Sequence, residues 1–66
     1  MTNEEARKIA NDYQNTGTLP SGFEASSNFH ETVQGAKYEV VQVSRDDVVV
    51  ISFVIKNDQV EDVTVI

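Results

Sequence analysis

Residues 48–55 read VVVISFVI, an apolar run broken only by Ser52 and held between two groups of turn-forming residues, Arg45-Asp46-Asp47 and Asn57-Asp58-Gln59. Its length and its content of β-branched side chains mark a strand rather than a helix segment. At eight residues it is also far too short to span a bilayer as a helix, which takes about 20 apolar positions. Successive side chains of a strand point to opposite faces of the sheet. Here both faces would be apolar, so something must cover each of them. Whatever fold the chain adopts has to provide that cover.

One cover is encoded near the start. In TNEEARKIANDYQNTG, Thr2 can cap a helix with Glu5 three residues on, the reciprocal capping-box pattern. Glu4 and Glu5 fall where the helix dipole favours negative charge. Ala6, Ile9, Ala10 and Tyr13 then recur at the spacing of one buried stripe, and Gly17 is a natural stop. The spacing predicts a helix over about residues 3–15, with a narrow stripe suited to close packing on a sheet.

After the connector Thr18–Gly22, with Pro20 and Gly22 as breakers, the remainder reads as β. Strands are predicted over about residues 23–33, 37–44, 48–56 and 60–66. The first is the weakest, and a helical turn from Asn28 competes with it because Phe29 and Val33 are four apart. Turns fall at Gln34-Gly35, at 45–47 and at 57–59. The expected fold is α+β: one domain over residues 1–66, an N-terminal helix packed on one face of a four-stranded antiparallel meander. This arrangement resembles cystatin-like and related small α+β architectures. The resemblance is one of fold, and such folds host many functions.

A slip of one residue moves every side chain of a strand to the other face, so the registers decide what is buried. A two-residue loop at Gln34-Gly35 sets Phe29 beside Val40. A two-residue loop at Asp46-Asp47 sets Val40 beside Phe53 and Tyr38 beside Ile55. At the last turn, a three-residue loop over 57–59 pairs Phe53 with Val63 and Ile51 with Val65, better than the Asp62 and Thr64 partners of a shorter loop. One face then collects Phe23, Ala25, Phe29, Tyr38, Val40, Val49, Ile51, Phe53, Ile55, Val63 and Val65 as the core under the helix. The other holds Val41, Val43, Val48, Val50, Val54 and Ile66. With a three-residue turn at 45–47, Val41 and Val43 would join the core instead. One helix of this length, about 20 Å, cannot cover both faces. Exposed apolar patches of several hundred Å² often mark interaction sites, so the six aliphatic residues are the candidate partner interface.

Composition narrows the function classes. The chain has 66 residues, eleven Asp and Glu against five Lys and Arg, a net charge of −6 and no cysteine. Disulfides are excluded, and a reducing cytoplasmic setting is expected. A single histidine, His30, with no His/Cys spacing of the zinc type, points to no metal site and no cofactor. The acids at Asp46-Asp47 and at Asp58, Glu61 and Asp62 sit at turns and lack the spacing of a calcium loop. Glycines 17, 22 and 35 lie in separate connectors and form no phosphate loop. No nucleophile, base and orienting group can be assembled around His30, so no enzyme is expected. The negative charge disfavours direct binding to nucleic acid and to anionic membranes. The N-terminus MTNEEARKIAND has no apolar core of a signal peptide.

These readings predict a non-enzymatic, acidic interaction module whose partner is another protein chain, most simply a second copy in a homodimer. The alternative is an acidic inhibitor, of the kind some phages encode, whose carboxylates imitate nucleic acid in a basic cleft of a partner. Against that alternative, Arg7, Lys8, Lys37, Arg45 and Lys56 are interspersed among the acids.

Overall fold

The computed structural model describes residues 1–66 and has one helix followed by four strands. Helix α1 spans Asn3–Thr16, and strands β1 to β4 span Phe23–Glu31, Lys37–Arg45, Val48–Lys56 and Gln59–Val65. The strands form a single antiparallel sheet in the order β1-β2-β3-β4, and α1 packs against β3 and β4. This is the α+β meander that the sequence predicts.

The helix ends are built as their residues dictate. The Thr2 hydroxyl accepts the Glu5 N–H at 3.1 Å, and the Thr2 N–H donates to the Glu5 carboxylate at 3.2 Å. These two bonds satisfy donors that have no partner inside the helix. The hydrogen bonds from the Thr2 N–H and hydroxyl hold the Glu5 carboxyl below its ordinary range. At the other end Gly17 takes φ 73° and donates its N–H to the Tyr13 carbonyl at 2.8 Å. Only a residue without Cβ adopts that backbone at no steric cost.

The hairpins depart from the expected registers, and the departures decide what is core. β1 stops at Glu31, because Thr32 closes a tight turn. The Thr32 N–H donates to the Ala36 carbonyl at 2.8 Å, the Gly35 N–H to the Thr32 carbonyl at 2.9 Å, and the Ala36 N–H to the Thr32 hydroxyl at 3.0 Å. Gly35 supplies the positive φ, 86°. Phe29 therefore lies opposite Glu39 rather than Val40.

Between β2 and β3 the turn is the two-residue Asp46-Asp47, with φ 54° and 64°, and it pairs Arg45 with Val48 and Ser44 with Val49. Then the register shifts: Val43 pairs with Ile51 and Val41 with Phe53. Val50 is the extra residue of a β-bulge, and its side chain packs on the core next to that of Ile51. The bulge reverses the parity of the strand. Val41 and Val43 consequently go under the helix and are fully buried. This corrects the reading that placed them on the outer face. Tyr38, Val40 and Val49, expected in the core, lie on the outer side instead, as their pairing with His30, Val54 and Ser44 requires.

The β3–β4 turn has two residues rather than three. Asn57 and Asp58 take φ 53° and 60°, and Lys56 pairs with Gln59. A second shift, with Asp62 at φ 53°, then restores the favourable pairing of Ile51 with Val65. Five non-glycine residues thus occupy the left-handed region, and all are Asp or Asn, the side chains that tolerate it best. A turn with both central residues left-handed is most favourable as Asn-Gly. Asp58→Gly should accordingly stabilise the fold by about 0.5–1 kcal/mol and raise the melting temperature by about 3–6 °C in a domain of this size. A thermal melt followed by circular dichroism checks this; a lower melting temperature would mean that the Asp58 side chain itself holds the turn.

The core is small. Ala6, Ala10, Val41, Val43, Ile51 and Phe53 are fully buried, with Ile9, Tyr13, Leu19, Phe23, Val50 and Val63 among the side chains packed around them. The two alanines let the helix approach the sheet closely, and the Tyr13 ring meets Phe53 edge-on with centroids 6.1 Å apart. No buried side-chain polar atom lacks a partner.

Candidate interaction surface

The six residues expected to form the interface do not come together. Val41 and Val43 are core. Val50 is half-buried in the bulge against the core, and its carbonyl accepts the Ile66 N–H at 3.0 Å. Val48, 62% exposed, lies at the rim beside the Asp46-Asp47 turn, opposite Arg45. Ile66 is 67% exposed next to β4. Val54 alone sits on the outer face as expected, half-buried and paired with Val40.

The outer face is largely polar. Around Val40, Val49, Val54 and Tyr38 the registers place Glu24, Ser26, Asn28, Gln42, Ser44, Ser52, Lys56 and Thr64. By parity, the bulge at Val50 leaves β3 with Val49, Ser52 and Val54 on this side, so the second apolar face of VVVISFVI is much smaller than alternation implied. The His30 ring stacks on Tyr38 at 5.3 Å, with 17° between the planes, and makes no side-chain hydrogen bond. No three carboxylate or imidazole groups converge as a metal-ligand set. The single ion pair is Lys8–Asp12, on the exposed side of the helix. The acids lie on the helix, on β1, β2 and β4 and in the turns, and Glu24, Asp46 and Asp47 line one polar depression.

The uncovered apolar surface lies elsewhere, on the helix side of the sheet. A fourteen-residue helix is about 21 Å long and a nine-residue strand about 30 Å. The helix backbone runs closest to β4 and β3, and Ala6 and Ala10 share one buried cluster with Val41 and Val43 of β2. The far end of the β1–β2 hairpin is left bare. Phe29 is 79% exposed there, and Val33 at the hairpin tip is fully exposed. Shallow, open depressions flank Phe29, one lined by His30, Glu31 and Lys37, the other by Lys37, Tyr38, Glu39, Ile55, Asn57 and Asp58.

Sequence reasoning assigned Phe29 to the correct face but placed it under the helix. The missing step was the reach of the helix. The stripe from Ala6 to Tyr13 closes one core with Val41 and Val43 of β2 and with β3, but β1 lies at the sheet edge beyond them and its Phe29 end stays uncovered. Comparison of the chain with protein-family models, with curated proteins and with solved structures gives no match.

Proposed function

We propose that this protein is a non-enzymatic interaction module that associates with another protein chain, most simply a second copy of itself. The observation that carries the reading is the exposure of Phe29 and Val33 on a part of the sheet that the helix leaves bare. Burying an aromatic side chain such as Phe29 is worth roughly 1.5–3 kcal/mol. A small domain with a thin stability margin gains from such contact. A cytoplasmic setting is part of the proposal, since disulfides contribute nothing to this fold.

Sedimentation equilibrium over a hundredfold concentration range tests the reading. Reversible association is expected, and it should persist or strengthen in high salt, because copies of charge −6 repel each other and salt screens that repulsion. A strict monomer at every concentration would overturn it.

A further inference from the structure

The two edges of the sheet are not alike. β4 carries the devices that stop edge strands from pairing with other chains, a bulge at Asp62 and the adjacent charges of Glu61 and Asp62. β1 carries none of them along its middle. It runs nine residues without a register shift, contains no proline or lysine, and reads ASSNF between Glu24 and His30. Its only strand neighbour is β2. We infer that β1 is a self-complementary edge, and that two copies pair antiparallel through it about a two-fold axis at Ser27.

The register follows from the backbone. In an antiparallel ladder, directly opposed residues alternate between hydrogen-bonded and non-bonded pairs. The Thr32 N–H bonds the Ala36 carbonyl, so the even-numbered residues of β1 bond β2 and the odd-numbered ones direct their N–H and C=O groups to the free edge. Phe23 agrees with this, because its N–H donates away from β2 to the Pro20 carbonyl at 3.2 Å. Odd residues must therefore meet odd residues. Only the pairing centred on Ser27 both satisfies this and overlaps the whole strand. With the Phe23 donor already engaged, it forms about eight backbone hydrogen bonds.

That register matches side chains as well. On the helix side, Phe29 lies opposite the second copy's Ala25 and diagonal to the second copy's Phe23, within aromatic reach. The exposed ring is thereby covered. On the outer side, Glu24 meets the second copy's His30, and Ser26 meets the second copy's Asn28. Glu31 falls in the row of the second copy's Phe23 and Arg45, whose guanidinium already lies 5.2 Å from the Phe23 ring centre. Neither acid of β1 faces a like charge. The two-fold axis stands perpendicular to the sheet, so an eight-stranded sheet forms with both helices on one face.

This inference rests on the interaction-module reading and names its interface. The first test needs no variant. Amide exchange is followed at low and high protein concentration, and the amides of Ala25, Ser27 and Phe29 should gain protection with concentration while those of Ser26 and Asn28 stay unchanged. The second uses the absence of cysteine. Ser26→Cys, Ser27→Cys and Asn28→Cys are oxidised in air, and linked dimer is measured on a non-reducing gel. Ser27→Cys should cross-link about tenfold faster than either neighbour, since only that pair is directly opposed within disulfide range. Random collision would favour the more exposed positions 26 and 28 instead. Faster linkage at 26 or 28, or protection that ignores the alternation, would overturn the edge pairing. If the protein still sediments as a dimer in that case, the module reading stands and only its interface is wrong; a strict monomer removes both.

Discussion

Phe53→Ala should leave the protein largely unfolded at room temperature, or lower its melting temperature by at least about 15 °C. Phe53 is the largest of the fully buried side chains. It pairs with Val41, meets the edge of Tyr13, and so joins the sheet to the helix. Truncating a buried phenylalanine costs about 3–5 kcal/mol through lost transfer energy and the cavity left behind. A chain of 66 residues holds a total stability of about 3–10 kcal/mol. One truncation therefore removes a third or more of what the fold has. Urea denaturation monitored by circular dichroism reads the loss. Phe29→Ala is the internal comparison, because Phe29 is exposed in the single copy and its loss should change the stability of the monomer by no more than about 0.5 kcal/mol. Equal losses in the two variants would mean that the helix covers the β1–β2 end after all.

The helix and the number and order of strands were legible because each rests on local chemistry. Thr2, Glu5 and Gly17 act within a turn or two of themselves, and the stripe Ala6, Ile9, Ala10, Tyr13 needs only the helical period. The faces of β2 were not legible, because they depend on counting through the turns on either side of it and through the bulge at Val50. Alternation alone put Tyr38 and Val40 inside and Val41 and Val43 outside. A signal was present in the run itself. Val50 and Ile51 are consecutive residues that both belong to the core, and a period-2 strand places two neighbours on one side only at a bulge. In β4 the same device was masked by Asp62, which reads as an ordinary polar position while its backbone takes the conformation glycine usually supplies.

The candidate surface was harder still. Val48, Val50 and Val54 drew attention because the run is the most apolar part of the chain. What matters for association is the apolar area left after folding, and that depends on where a 21 Å helix stops on a sheet of 30 Å strands. Phe29 lies in the least strand-like segment and carries more exposed apolar surface than any of the three valines. A weak strand is also what an edge looks like, since it has one neighbour to satisfy instead of two.

Val41→Asp and Val40→Asp, adjacent residues of one strand, should behave as opposites. Val41 is fully buried against Phe53, and an aspartate there loses roughly 1.5 kcal/mol or more of apolar burial and also places an unpaired charge or a neutralised carboxyl where no hydrogen-bond partner exists. The sum exceeds what so small a domain can absorb, and the variant should show no cooperative melt. Val40 lies on the outer face next to Val54, partly buried, with Gln42 two residues along. An aspartate there keeps its water and costs about 1 kcal/mol through β-propensity and lost cross-strand contact. Without the Val50 bulge the assignments invert, and Val40 becomes the residue that cannot be charged. Two proton–nitrogen correlation spectra decide between the registers: dispersed signals for Val40→Asp with collapsed signals for Val41→Asp place the bulge at Val50, and the reverse pattern would remove it together with the burial of Val43.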